Sequence, residues 1–347
     1  MRSKYRLAVA RPPDRKRAVF FLGAGFSCAA GLPNTAALLA SVHSLAREVP
    51  AWGVSKNIER RLQDTYAYFY PDKGPGFRPE VVDFFSILTA YNQIDRTGMP
   101  GGYPDRELLA DLRFAIVHVL CEGLRQAEPA KLAGAHELLD RMIAPGSVVI
   151  TTNWDSLVER AAEARGVPYR LSGQAADSEL LVLKLHGSID WLRPSNAKKP
   201  VGRIAYALLT ELCGSARAHR STPTTASAVL RTRIDSAGAT WRTIKGATGD
   251  PLMVTMTPGK ADALGPVLTL WEQAYRAISG AASLEIIGYS MPADDIEIRT
   301  ILRAGVLRGP TNPIITVRNP APDVHARVRD LILREVESDY TPVTSMH

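Results

Sequence analysis

The chain has 347 residues, enough for one large domain or two ordinary ones. With 46% hydrophobic and 22% charged residues it has the make-up of a soluble globular protein, and no apolar run approaches the roughly 20 residues that span a bilayer. Cys28, Cys121 and Cys213 lie far apart with no C-x-x-C pair, which excludes a cysteine-based zinc ribbon and argues against a disulfide framework.

The net charge of +7 is unevenly spread. Residues 1–17 hold seven Lys/Arg against Asp14, a net +6, and residues 193–250 hold ten against Glu211, Asp235 and Asp250, a net +7, so the remainder is near −6. The basic excess sits in a tail and an insert. Each is either a solvated loop or a surface for nucleic acid or an acidic partner. The basic start runs into Arg11-Pro12-Pro13 rather than an apolar secretory core, so a cytoplasmic protein with no membrane contact is expected.

Six short apolar runs predict strands: Ala18–Leu22, Val148–Thr152, Leu180–Leu185, Leu252–Met256, Leu284–Ile287 and Ile314–Val317. Most are continuous rather than alternating, as in parallel strands covered on both faces. Between them, residues 35–145 read as a mostly helical insert with Gly/Pro-rich breaks at Pro71–Pro79 and Thr97–Pro104. Residues 192–250 are rich in Ala, Ser, Thr and Arg without a strong period and read as a basic low-complexity insert. Helical spacing returns at Val267, Leu268, Trp271, Ala274, Tyr275 and Ile278. It recurs at Ile296, Ile298, Ile301, Leu302 and Val306, after Asp294-Asp295 as an N-cap. Val324, Val328, Leu331, Ile332 and Val336 predict a last helix. Alternating strand and helix predicts an α/β fold, a doubly wound, Rossmann-like parallel sheet of about six strands with no zinc ribbon. The expected organisation is a tail over 1–17 and one domain over 18–347 that carries both inserts.

Ligands of such sheets bind beyond the carboxyl ends of the strands, and there the chain places small and polar residues. The first strand ends in Gly23-Ala24-Gly25-Phe26-Ser27, followed by Gly31-Leu32-Pro33. This is either a pyrophosphate loop, with free N–H groups at the following helix start, or simply a tight strand–helix turn. The second motif is Thr151-Thr152-Asn153-Trp154-Asp155. Asn153 offers an amide for a water or a ribose hydroxyl, and Asp155 is either a site group or a helix N-cap. Next comes Lys184-Leu185-His186-Gly187, with a histidine able to exchange a proton near neutral pH, or to serve as a structural hydrogen-bonder. Ile287-Gly288-Tyr289-Ser290 and Val317-Arg318-Asn319 close the last two strands.

Taken in order, GAGFS…GLP, TTNWD, KLHGS, GYS and a terminal Asn resemble the sirtuin superfamily over residues 18–337. TTNWDSLVE, KLHGSIDW and IIGYSMPADD look most like bacterial sirtuin-like proteins that hydrolyse NAD in antiphage defence. The resemblance implies a Rossmann-like fold with NAD as substrate and no metal. It implies that Ala24, Gly25 and Ser27 bind the pyrophosphate region, and that Gly23 and Thr152 also contact the cofactor. Asn153 and Asp155 would hold the nicotinamide-ribose end, with His186 the base, and Gly288, Ser290 and Asn319 would line the phosphate and adenosine side. Two departures stand out: Pro33 is followed by Asn34-Thr35-Ala36 rather than Asp-Phe-Arg, and residues 192–250 hold only Cys213. Both point away from acyl-lysine deacylation and toward NAD hydrolysis. An NAD-dependent deacylase or ADP-ribosyltransferase, and a non-catalytic NAD or ADP-ribose sensor, are the rival expectations. Such proteins resemble effectors that self-associate or pair with a HerA-like ATPase/helicase or an Argonaute-like protein. The basic insert is the candidate surface for a partner or nucleic acid.

Overall fold

The computed structural model describes residues 17–48, 58–94, 108–126, 136–194, 230–231, 249–254 and 267–342. Strand β1 (Arg17–Leu22) lies at the middle of a seven-stranded sheet. Around it run β2 (Val148–Thr151), β3 (Tyr169–Arg170), β4 (Leu180–Lys184), β8 (Ala281–Ile287), β9 (Ile314–Arg318) and β10 (Glu337–Asp339), in the order β10-β9-β8-β1-β2-β4-β3. All six pairings are parallel. On one side of β1 the chain therefore lays β2, then β3 at the edge and β4 between them, and returns to lay β8 on the other side of β1. That reversal is where doubly wound folds place their ligand crevice.

The continuous apolar runs are explained by cover on both faces. Every residue of β2 and β4 is buried, as are Val19 to Leu22 of β1. Phe21, Leu22, Ile150 and Leu183 are fully buried, and each such side chain contributes about 1.5–3 kcal/mol. Helices α1 (Ala24–Cys28), α7 (Leu157–Ala164), α8 (Leu268–Ser279), α9 (Ile296–Arg308) and α10 (Pro322–Ile332) follow the strands. Of these, α8 packs on β1, β4 and β8 and against α9.

Between β1 and β2 the chain forms α2 (Thr35–Glu48), α3 (Ile58–Phe69), α4 (Val81–Ile94), α5 (Leu108–Gln126) and α6 (His136–Met142). Leu112, Ile116, Val119, Leu120 and Leu124 give α5 a buried stripe at helical spacing. This helix packs against α2, α3 and α4, and so ties the helical module together.

Three expectations change. Leu252–Met256 does not join the parallel sheet. Instead β7 (Gly249–Met253) runs antiparallel to β5 (Gly187–Pro194) in a second sheet of order β6-β5-β7, with β6 (Leu230–Arg231) on the other edge. Residues 255 and 256 lie outside the described set. The cause is Gly187: its φ of +77° turns the chain out of the main sheet, and a Cβ there would sit 2.0 Å from the Leu252 carbonyl oxygen. Second, the last helix ends at Ile332, and Leu333 adopts a left-handed φ of 53°. Val336 therefore leaves the helix and leads into β10. Third, β3 and β10 have only two and three residues, too short and polar to stand out as apolar runs. Most of the basic tail and of the 192–250 insert lies outside the described residues.

Candidate functional site

The turn that ends β1 is packed backbone on backbone against the turn that ends β8. Gly23 N–H donates to the Ile287 carbonyl at 3.0 Å, and Gly25 N–H to the Gly288 carbonyl at 2.8 Å. A Cβ on Gly23 would lie 2.5 Å from Tyr289 Cα, one on Gly25 2.8 Å from the Gly288 oxygen, and one on Gly288 2.4 Å from Phe26 N. Gly288 also has φ +60°, which only glycine adopts readily. These glycines serve the close approach of two strand ends. The same contacts use donors that a pyrophosphate loop would offer, because Gly25 N–H is committed to Gly288 and Phe26 N–H to the Gly23 carbonyl at 3.0 Å.

Next to this turn, β2 ends in a second, tightly bonded one. Asn153 donates its side-chain amide to the Gly23 carbonyl and to Ser27 Oγ, both at 2.9 Å. Ser27 donates in turn to Asp155 Oδ2 at 2.6 Å. Asp155 Oδ1 accepts the Leu157 N–H at 3.0 Å, so the residue, one before the Ser156 N-cap, holds the turn into α7 and belongs to the polar network at once. Thr151 Oγ1 accepts the Asn153 N–H at 3.0 Å, and Thr152 N–H donates to the Leu22 carbonyl at 3.2 Å.

A small cleft, open to solvent, lies over this network. Ser27, Thr152, Asn153 and Asp155 form its polar floor, and Ala24, Trp154, Leu38 and Leu120 give it an apolar lining. Pro33, Asn34 and Thr35 complete the rim. Asn34 holds the start of α2 by accepting the Ala37 N–H at 2.9 Å. The segment that departs from the sirtuin pattern thus shapes the mouth, and the helical insert supplies a wall. At the edge of the network Cys28 is half-buried; burial and then the Asp155 charge raise its thiol pKa, which keeps it protonated and poorly nucleophilic.

His186 stands apart from this cleft. Its side chain is fully buried, its ring lies 6.1 Å from that of Trp271, and its Nε2 is 3.9 Å from Asp295 Oδ1. The backbone around it is nevertheless tied to the Asn153 turn. Leu185 N–H donates to the Thr151 carbonyl at 2.9 Å, while Ser188 Oγ and Ile189 N–H donate to the Trp154 carbonyl at 3.1 and 2.9 Å.

Asp295 stands at the expected helix start, but its side chain serves another role. It occupies the N-cap of α9 but makes no side-chain cap bond. Its fully buried carboxylate accepts the Tyr289 hydroxyl at 2.5 Å and faces His186. Burial, reinforced by that carboxylate, raises the Tyr289 pKa far above its ordinary value, so the phenol remains a donor. The available signal was the doublet Asp294-Asp295, where one carboxylate would be enough for a cap.

The remaining expected residues sit farther along the sheet. Asn319 is spent on structure: its N–H donates to the Asp339 carbonyl at 3.0 Å, Oδ1 accepts the Ala321 N–H at 3.0 Å, and Nδ2 donates to the Tyr289 carbonyl at 3.4 Å. Ser290 is exposed at the end of β8. The structure brings Gly23, Ala24, Ser27, Thr152, Asn153 and Asp155 together. Gly288 and Gly25 adjoin them, while His186, Ser290 and Asn319 lie outside the cleft lining. Among the described residues, no group of three or more His, Cys, Asp or Glu is placed to hold a metal ion. No described helix is long and apolar enough to cross a membrane.

Comparison with known proteins places a likeness on this region. No curated protein matches the chain. A Sir2 mutant with p53 peptide and NAD aligns at 14% identity and TM-score 0.36, covering 95% of this chain and 90% of that one. Sir2 bound to acetylated peptide aligns at 15% identity and TM-score 0.33, with the same coverage. The family model described as SIR2-like domain matches residues 147–211, the stretch that contains Asn153, Asp155 and His186. Over that stretch, the chain is similar to the SIR2-like domain family.

Proposed function

We propose that the chain binds NAD in the cleft at the ends of β1 and β2 and hydrolyses its nicotinamide–ribose bond. The products are nicotinamide and ADP-ribose. The observation that carries this reading is the Asn153–Ser27–Asp155 network on the cleft floor, whose Asn153 and Asp155 lie in the segment similar to a SIR2-like domain.

The chemistry needs little from the protein. Nicotinamide leaves a cationic ring as a neutral molecule, so no general acid is required at the leaving group. As the C1′–N bond breaks, positive charge develops on the ribose, as in other glycoside cleavages. In this reading the Asp155 carboxylate lowers the energy of that charge. Asn153 keeps its side-chain oxygen for a ribose hydroxyl or the attacking water, since its Nδ2 is already engaged. Water oxygen bonds to C1′, and its proton passes to a base. His186 takes that role when substrate binding uncovers its ring, with Asp295 as the facing carboxylate.

On this reading the protein serves as an NAD-depleting effector of antiphage defence, held off until triggered and active as a self-associated assembly, an expectation that its sequence resemblance supports. The test is nicotinamide release by purified protein, with and without an acylated peptide. Release that needs no peptide and is lost in Asn153→Ala and His186→Ala supports the reading; unchanged release in both variants refutes it. Release only with acylated peptide identifies a deacylase instead.

A further inference from the structure

We propose that Lys184 and Glu159 form a buried positioning pair that holds the Asn153–Asp155 turn in its working geometry; the catalytic part of this role rests on the reading of the cleft as an NAD-cleaving site. Lys184 ends β4, and its partner in β2 is Thr151, the residue just before the turn. Its side chain is fully buried. The ammonium donates to the main-chain carbonyl of Asp155 and to Glu159 Oε1, the latter at 3.0 Å. Glu159, on the first turn of α7, is itself 2% exposed. The turn is therefore gripped from two sides. Ser27 and Gly23 hold it from β1, and Lys184 holds it from β4.

A buried lysine is a poor choice for packing. Taking an ammonium and a carboxylate out of water costs several kcal/mol each, and apolar residues of similar volume often stabilise a fold as well or better. What an apolar pair lacks is directed bonds from a cation to a carbonyl, which are stronger than neutral hydrogen bonds. That carbonyl belongs to Asp155, whose side chain completes the polar floor of the cleft. Glu159 adds a second effect. Unneutralised, the ammonium would repel the positive charge that develops on the ribose during bond cleavage. Paired with Glu159, it contributes hydrogen bonds without a net opposing charge.

The test compares wild type with the double variant Lys184→Met/Glu159→Leu, which replaces the pair by apolar residues without orphaning a charge. Two readouts are taken: amide exchange of residues 152–157 without NAD, and the kinetics of nicotinamide release. We expect a folded protein in which the segment exchanges about tenfold faster. The kcat falls about 10²-fold with KM changed less than about threefold, the cost of a displaced catalytic group. Wild-type exchange and kcat in the folded double variant would overturn the proposal. Should the double variant fail to fold, Glu159→Gln decides, since it retains an acceptor for Lys184: unchanged exchange with a lowered kcat supports the pair's role, and an unchanged kcat overturns it. The exchange readout needs no turnover. Faster exchange in a protein whose wild type never cleaves NAD would uphold the positioning of the turn and reject the assigned reaction. Cleavage by wild type with no change in the double variant would do the reverse.

Discussion

The Ser27 hydroxyl and the Asp155 carboxylate meet at 2.6 Å, joining the ends of two neighbouring parallel strands through side chains rather than backbone. Ser27 also accepts from Asn153 at 2.9 Å, so one hydroxyl sets the orientation of two groups on the cleft floor. Ser27→Ala removes a donor from a buried carboxylate. The expected cost is about 1–3 kcal/mol of stability, read from urea midpoints, together with a fall in nicotinamide release larger than that of any distant variant of equal stability.

The glycine contacts make a sharper prediction. Gly288→Ala places a Cβ 2.4 Å from Phe26 N at φ +60°, and Gly25→Ala places one 2.8 Å from the Gly288 oxygen. Backbone atoms cannot step aside as the end of a flexible side chain can. Each substitution should cost about 1–3 kcal/mol by overpacking, and Gly288→Ala somewhat more through backbone strain. Gly74→Ala is the control, since nothing lies within 4 Å of its added methyl. Thermal unfolding of the three variants checks the order.

For the buried histidine, His186→Ala should lower nicotinamide release by about 10²–10⁴-fold, the ordinary contribution of a general base. Asp295→Asn keeps the shape and an acceptor for Tyr289 while removing the charge that faces His186. It should lower kcat with little change in thermal stability. Steady-state kinetics beside a melting curve separates these outcomes.

Two buried tyrosines predict alkaline instability. Burial raises both Tyr289 and Tyr66 above the ordinary phenol value. An acid held protonated in the folded state ionises first in the unfolded chain, near pH 10. The folded state therefore binds more protons above that pH, and stability falls as pH rises. Urea midpoints should drop between pH 9 and pH 11, by about the linkage expected for raised phenols. Tyr66→Phe should flatten the decline.

The main strands were legible because β1, β2, β4, β8 and β9 are continuous apolar runs, and burial on both faces requires that pattern. Leu252 and Met253 were equally apolar, but hydrophobicity does not name a pairing partner; Gly187, which diverts the chain, carried the missing information. The strand-end polar residues could be picked out, and the Asn153–Ser27–Asp155 contact could not, since it joins positions 126 and 128 residues apart. The sequence shows Lys184 as a strand-end residue of K-L-H-G but not as a buried one, because lysines are rarely buried. Asp295 was hidden for a different reason: a carboxylate at a helix start reads as a cap, and only the tertiary structure shows it turned inward.

The central claim is hydrolysis of NAD on the floor formed by Ser27, Asn153 and Asp155. Mass spectrometry of the products formed from NAD in heavy-oxygen water, by wild type and by Asn153→Ala, tests it most directly. The account predicts nicotinamide and ADP-ribose in equal amounts, one heavy oxygen on the ribose anomeric carbon, and a yield at least about 100-fold lower in the variant. Equal yields from the two proteins, or ADP-ribose without the heavy oxygen, would contradict it.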